Sequence, residues 1–150
     1  MGTWTTETTL EGTPEHVLGV LTEPAACARF SPVPFEVGGL TAPTLETGTR
    51  ARLGGRIGGR SVEFDLEVLR ADERRLELRA RGPIEIEARY AARAVSGGTR
   101  LLASVSVHGG RGLRGCLVAR LADAVLAAGA LDQVVARVAD EVVAVAGVAA

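Results

Sequence analysis

The chain of 150 residues contains neither lysine nor asparagine, and all 17 of its basic residues are arginine. The absence of lysine excludes a Schiff-base nucleophile and a phosphate-loop lysine. Aromatic residues make up only 3% of the chain (one Trp, one Tyr, three Phe), so large core fillers are scarce. The two cysteines, Cys27 and Cys116, are far apart and form no C-x-x-C pattern, so they read as two buried or partly buried thiols and not as a disulfide or metal site. A net charge of -1 supplies no basic field for nucleic acid. Met1–Leu10 lacks the basic and apolar regions of a leader, and the apolar stretches elsewhere are interrupted by charges. The expectation is a cytoplasmic protein without integral membrane association, forming a single domain over residues 1–150.

What is present is patterned. "TWTTETTL" (3–10) favours a strand, and "GTPEHVL" comes after it almost at once. Thr13 can cap a helix there, Pro14 suits the first helical position, and Val17, Leu18 and Leu21 recur at helical spacing. "PAACARF" (24–30) predicts a second short helix that Pro32 and Pro34 stop.

From residue 50 to 108 the period is two. Ala51, Leu53, Gly55 and Ile57 alternate with arginines, and Gly58-Gly59 predicts a hairpin turn. Val62, Phe64, Leu66 and Val68 alternate with Glu63, Asp65 and Glu67. Ile84, Ile86, Ala88 and Tyr90 then alternate with Glu85, Glu87 and Arg89, and a last strand runs from Arg100 to His108. After Gly109, Gly110 and Gly112 the period becomes helical. Leu117, Leu121, Ala124, Ala128, Leu131, Val135, Val138 and Val142 predict one stripe along a C-terminal helix, with Gly129 as a bend or close contact halfway.

A strand, two short helices, about six meandering strands and one long apolar helix make an α+β domain whose sheet needs that helix as its cover. This order resembles the START-like, Bet v 1-like helix-grip fold, in the bacterial SRPBCC group described as polyketide cyclase/dehydrase and lipid transport proteins. The resemblance rests on "GTPEHVL" (12–18), Glu23-Pro24, Gly48-Thr49 and "GGTRL" (97–101). Leu18 stands where the common pattern has an aromatic, and the Trp often found near position 30 is absent. The resemblance implies a curved antiparallel sheet of about seven strands around the helix. It also implies a small hydrophobic partner such as a lipid, polyketide or aromatic metabolite, and no cofactor or metal.

Small residues where a solid core would want Leu or Ile point to a chamber between sheet and helix. Its expected lining is Phe30, Phe35, Leu53, Phe64, Ile86, Ala88, Tyr90, Ala103, Val105, Leu121, Ala128 and Leu131. Tyr90 and His108 are the candidates for proton transfer if the protein is a cyclase or dehydratase. His108 reads first as a solvent-facing strand end, and His16 as surface. Ser104 and Ser106 face either the pocket or solvent. The crowded Arg50, Arg52, Arg56 and Arg60 read as a strand's wet face that can pair with Glu63, Asp65 and Glu67. The carrier reading stands first because these groups are few and unpaired. A third reading, an interaction module, rests on Val118, Val125, Val134 and Val143; the chain is expected to be a monomer or homodimer.

Overall fold

Thr and β-branched residues alternating with charges along 3–10 and 50–108 form the strands of one antiparallel sheet in the computed structural model. It describes residues 2–23, 26, 35–57, 60–109 and 112–149, with backbone alone for 57, 60, 113, 114 and 143–149. The strands are β1 (Thr3–Leu10), β2 (Phe35–Gly38), β3 (Arg50–Ile57), β4 (Arg60–Ala71), β5 (Arg75–Arg81), β6 (Glu85–Val95) and β7 (Gly98–His108). Their order is β1-β7-β6-β5-β4-β3-β2, so six strands form the expected meander and the first strand closes onto the last. The helices are α1 (Pro14–Leu21), α2 (Gly112–Ala127) and α3 (Ala130–Ala149). The expected second short helix with Cys27 and Phe30, and the Gly58-Gly59 turn, lie outside the described residues; Cys116, expected buried or partly buried, is exposed on α2.

The strand-to-helix junction folds as its residues dictate. Thr13 is extended, its Oγ1 accepts from the His16 N–H at 3.3 Å, and Pro14 takes the first helical position. Thr99, wholly buried, donates its hydroxyl to the Gly12 carbonyl at 2.8 Å and ties the junction to the start of β7. A Cβ on Gly98 would collide with the Leu10 carbonyl oxygen, so only glycine lets β1 and β7 approach there. Thr49 acts similarly at the entrance to β3, where its Oγ1 accepts the Glu46 N–H at 2.9 Å.

Register sorts the side chains onto two faces. On the outer face arginines meet carboxylates across strands, with Arg50 opposite Glu67 and Arg52 opposite Asp65, as the sequence suggests. On the inner face the buried apolar residues fall into three clusters. The largest joins Leu10, Val17, Leu21, Val68, Leu76, Leu101, Val138 and Val142 beneath α1 and α3. A second joins Val62, Phe64, Ile84, Val107, Val118, Ala119 and Ala122 beneath α2. The third is Ala103 with Leu131 and Val135.

The C-terminal cover differs from the expected single stripe. Ala128 and Gly129 form a turn, with Gly129 at φ +95, between α2 and α3. A helix advances about 100° per residue, so a turn resets the phase of the residues before it relative to those after it. In α3 the predicted Leu131, Val135, Val138 and Val142 are buried. In α2 the buried positions include Val118, Ala119 and Ala122, while Ala124 and, in the turn, Ala128 are exposed and Leu117 and Leu121 half-buried. Val118, expected on an outward interaction face, is therefore core; Val125 and Val134 are half-buried, and the side chain of Val143 is outside the described set.

Candidate functional site

The middle of the inner face is not closed. Leu78 on β5 stands opposite Ala88 on β6, Ala88 opposite Val105 on β7, and Val105 opposite Trp4 on β1. All four are only half-buried, although they share one rung of the sheet beneath the helices. The neighbouring set Leu66, Ala80 and Ile86, also mutually opposed across β4, β5 and β6, is half-buried too. Sealed residues bound the strip: Val68 (1% exposed) opposite Leu78 and Val107 (2%) opposite Ile86 close its rungs, Leu76 (1%) and Ala103 (0%) lie beyond it on one side, and Ile84 (2%) lies on the other. Apolar side chains that point at a cover yet keep solvent-accessible surface mark space between sheet and helices.

The strip is apolar with two polar tips. Tyr90, half-buried, packs against both the first and third clusters, and Trp4 against the second and third. Leu126, one turn before the helix break, packs with the clusters that Trp4 joins. A phenol and an indole N–H can each orient a ligand oxygen within an otherwise apolar wall.

Among the expected lining residues, Leu53, Ile86, Ala88, Tyr90 and Val105 lie half-buried on the inner face, with Phe35 half-buried opposite Gly55 at the β2 edge. Leu121 is half-buried on α2. Phe64 (8%) and Leu131 (5%) are packed into the closed clusters, Ala103 is sealed beneath Leu131 and Val135, and Ala128 sits exposed in the turn. Phe30 is outside the described residues. Trp4, Leu66, Leu78 and Ala80 were missed. Alternation with Leu10 through Thr6 and Thr8 was the available signal for Trp4, and alternation with Phe64 and Val68 that for Leu66; for Leu78 and Ala80 the signal was their place opposite Ala88 and Ile86, which needs the register.

The two proton-transfer candidates are on opposite sides of the sheet. Tyr90 is inner, whereas His108 ends β7 exposed on the outer face, opposite Glu85. Ser104 and Ser106 share that outer face; Ser106 Oγ lies 3.1 Å from Thr3 Oγ1. Among the described residues no three His, Cys, Asp or Glu side chains are grouped to hold a metal ion. No described helix is long and apolar enough to cross a membrane.

No protein-family model matches the chain, and no curated protein matches it. Solved structures do. Protein TTHA0849 from Thermus thermophilus matches with a TM-score of 0.70 at 16% identity, over 96% of this chain and 99% of that one. Ara h 8.0201 matches with a TM-score of 0.67 at 13% identity, over 95% and 98%. DynU16, a protein of the dynemicin biosynthetic locus, matches with a TM-score of 0.57 at 22% identity, over 92% of this chain and 46% of that one. The shared architecture is the Bet v 1-like helix-grip fold, a curved seven-stranded antiparallel sheet covered by a C-terminal helical segment.

Proposed function

We propose that this Bet v 1-like helix-grip domain is a carrier or sequestering protein for a small, mostly hydrophobic molecule held between the sheet and the C-terminal helices. The observation that supports the reading is the half-buried rung Leu78–Ala88–Val105–Trp4, with the half-buried Leu66, Ala80 and Ile86 on one side of it and the half-buried Tyr90 on the other. A ligand there would remove apolar surface from water at roughly 25 cal/mol per Å² without displacing any packed side chain. Trp4 and Tyr90 would give it orientation. Lipids, polyketides and aromatic metabolites have the right chemistry.

The enzymatic alternative would rest on Tyr90 delivering a proton to a bound carbonyl, because His108 is on the other side of the sheet. The test begins with an environment-sensitive apolar dye titrated into the native protein. Saturable binding weakened by Trp4→Phe is the expected result, because the indole borders the site. Absence of saturable binding, with the protein shown to be folded, would overturn both the carrier and the enzymatic readings.

A further inference from the structure

Charge on the outer face follows one rule. Arg50 faces Glu67, Glu67 faces Arg79, and Arg79 faces Glu87; on the next row Arg52, Asp65, Arg81 and Glu85 alternate in the same way. Arg70, Glu77 and Arg89 make a third row. The exception is on β6 and β7, where Arg93 stands directly opposite Arg100. Like charges in that relation destabilise an antiparallel pair. Arg100 has a carboxylate, Glu7, at 3.0 Å. Among the described residues, none is within ion-pair distance of the Arg93, Arg74 or Arg75 side chains.

These four arginines border one groove of about 790 Å³, together with Glu7, Glu15 and the small apolar residues Ala91 and Ala94. Its wall includes Leu102, which at 40% is among the most exposed large hydrophobic residues described. Arg74 is close enough to Glu15 to help hold its carboxyl below the ordinary value, after the larger effects of Glu15's own N–H and the Thr13 hydroxyl. Four guanidinium groups against two carboxylates leave two positive charges over. A second outer groove of about 440 Å³ also has four arginines, Arg50, Arg52, Arg79 and Arg81. There each has a carboxylate oxygen at 3.1 to 3.6 Å. Both grooves have four arginines and two carboxylates in their walls; among the described residues every arginine of the second is ion-paired, with Glu85 and Glu87 reaching it from outside the wall, whereas in the first only Arg100 is.

We propose that the groove between β5, β6, β7 and the start of α1 binds a small organic phosphomonoester, its dianion among Arg74, Arg75 and Arg93 and its apolar body against Ala91 and Leu102. A phosphomonoester carries about two negative charges at neutral pH, which matches the surplus, and its oxygens suit guanidinium forks. Arg75, Ala91, Arg93, Arg100 and Leu102 face outward at the α1 end of the sheet, away from the Leu78–Ala88–Val105–Trp4 rung, and neither claim depends on the other.

Calorimetric titration with 4-nitrophenyl phosphate, inorganic phosphate and 4-nitrophenol tests this. The aryl phosphate should bind saturably, one to one, and more tightly than inorganic phosphate; the phenol should not compete with it. Loss of a charge-assisted contact in Arg93→Gln should weaken binding about tenfold. Arg52→Gln, which removes the same charge from the ion-paired groove, should leave it within about twofold. In the absence of ligand, Arg93→Gln should unfold at the same or higher urea concentration than the parent, since a repulsive pair is relieved. No saturable binding at about 10 mM aryl phosphate, a constant weaker than about 10 mM, would overturn the proposal. So would equal weakening by both variants, a lowered urea midpoint for Arg93→Gln, or binding only to phosphatidylserine vesicles.

Discussion

The Thr99 hydroxyl, with no exposure to solvent, donates to the Gly12 carbonyl at 2.8 Å, joining two segments 87 residues apart in the chain. Both segments carry the resemblance on which the fold is readable, "GTPEHVL" and "GGTRL", and this bond explains why those residue types occur together. Thr99→Val keeps the shape and the strand propensity but leaves the carbonyl without its donor, at a cost of about 1–3 kcal/mol. Thr99→Ser should retain most of the stability. Urea midpoints of the two variants, read beside the parent, check the expected order.

The inner face offers a paired test of the cavity. Ala88 lies on the half-buried rung, and Ala103 is sealed beneath Leu131 and Val135. Ala88→Phe should abolish dye binding with little change in stability, because the ring enters space already present. Ala103→Phe should overpack, costing about 1–3 kcal/mol. Equal destabilisation by both, measured by denaturant unfolding, would mean the middle of the face is as tightly packed as its ends.

The phase of α2 can be checked with carboxylates. Val118 is 1% exposed, whereas Ala124 is exposed. Val118→Asp should cost several kcal/mol, since it buries a charge without a partner. Ala124→Asp should stay within about 0.5 kcal/mol. An unbroken stripe through Ala124 predicts comparable damage from both, so circular dichroism melts distinguish the two arrangements.

Asp72 gives an acid-limb prediction. Its carboxylate accepts the Arg74 and Arg75 N–H groups at 2.8 Å each and the Arg70 guanidinium at 2.7 Å. Chiefly through the Arg74 N–H and then the Arg70 side chain, its pKa is lowered from 3.8 to about 2. A lowered folded-state pKa means that the stabilisation is complete above the unfolded value and fades as pH falls through the folded one. The stability gap between the parent and Asp72→Asn should therefore be constant above about pH 4 and narrow between pH 4 and pH 2. Urea unfolding across that range measures the gap, and a side-chain NMR titration of Asp72 should show a midpoint near 2.

The strands were readable because alternation is local: Val62 to Val68 and Ile84 to Tyr90 each carry their facing in their own spacing. The helix break was only half readable. Gly129 signalled a bend or contact, but the sequence retains apolar residues at Leu121, Ala124 and Ala128, so a stripe can be drawn straight through the turn. Which small residues would line space and which would be sealed was not readable. Ala88 and Ala103 look alike in sequence, and only the seating of Leu131 and Val135 on Ala103 separates them. Trp4 was missed as a site residue although it alternates with Leu10, because the intervening Thr6 and Thr8 weaken the apolar signal of that face. The outer charge lattice was visible within the β3–β4 hairpin, but its exception at Arg93 and Arg100 required the β6–β7 register.

The closure of β1 onto β7 also sets an order in time. Thr3 and Ser106, whose hydroxyls meet, are separated by 103 residues. A growing chain released from its N-terminus onward can zip β2 to β7 by successive short hairpins, each closing a small loop. β1 has no strand neighbour until β7 has been made, so it waits at the head of the nascent chain with its ladder groups in water. Closing so long a loop costs more entropy than any hairpin in the meander and slows the last step of folding. The Gly98 approach and the Thr99 bond are then the latch of that step, formed only when the two ends of the sheet meet.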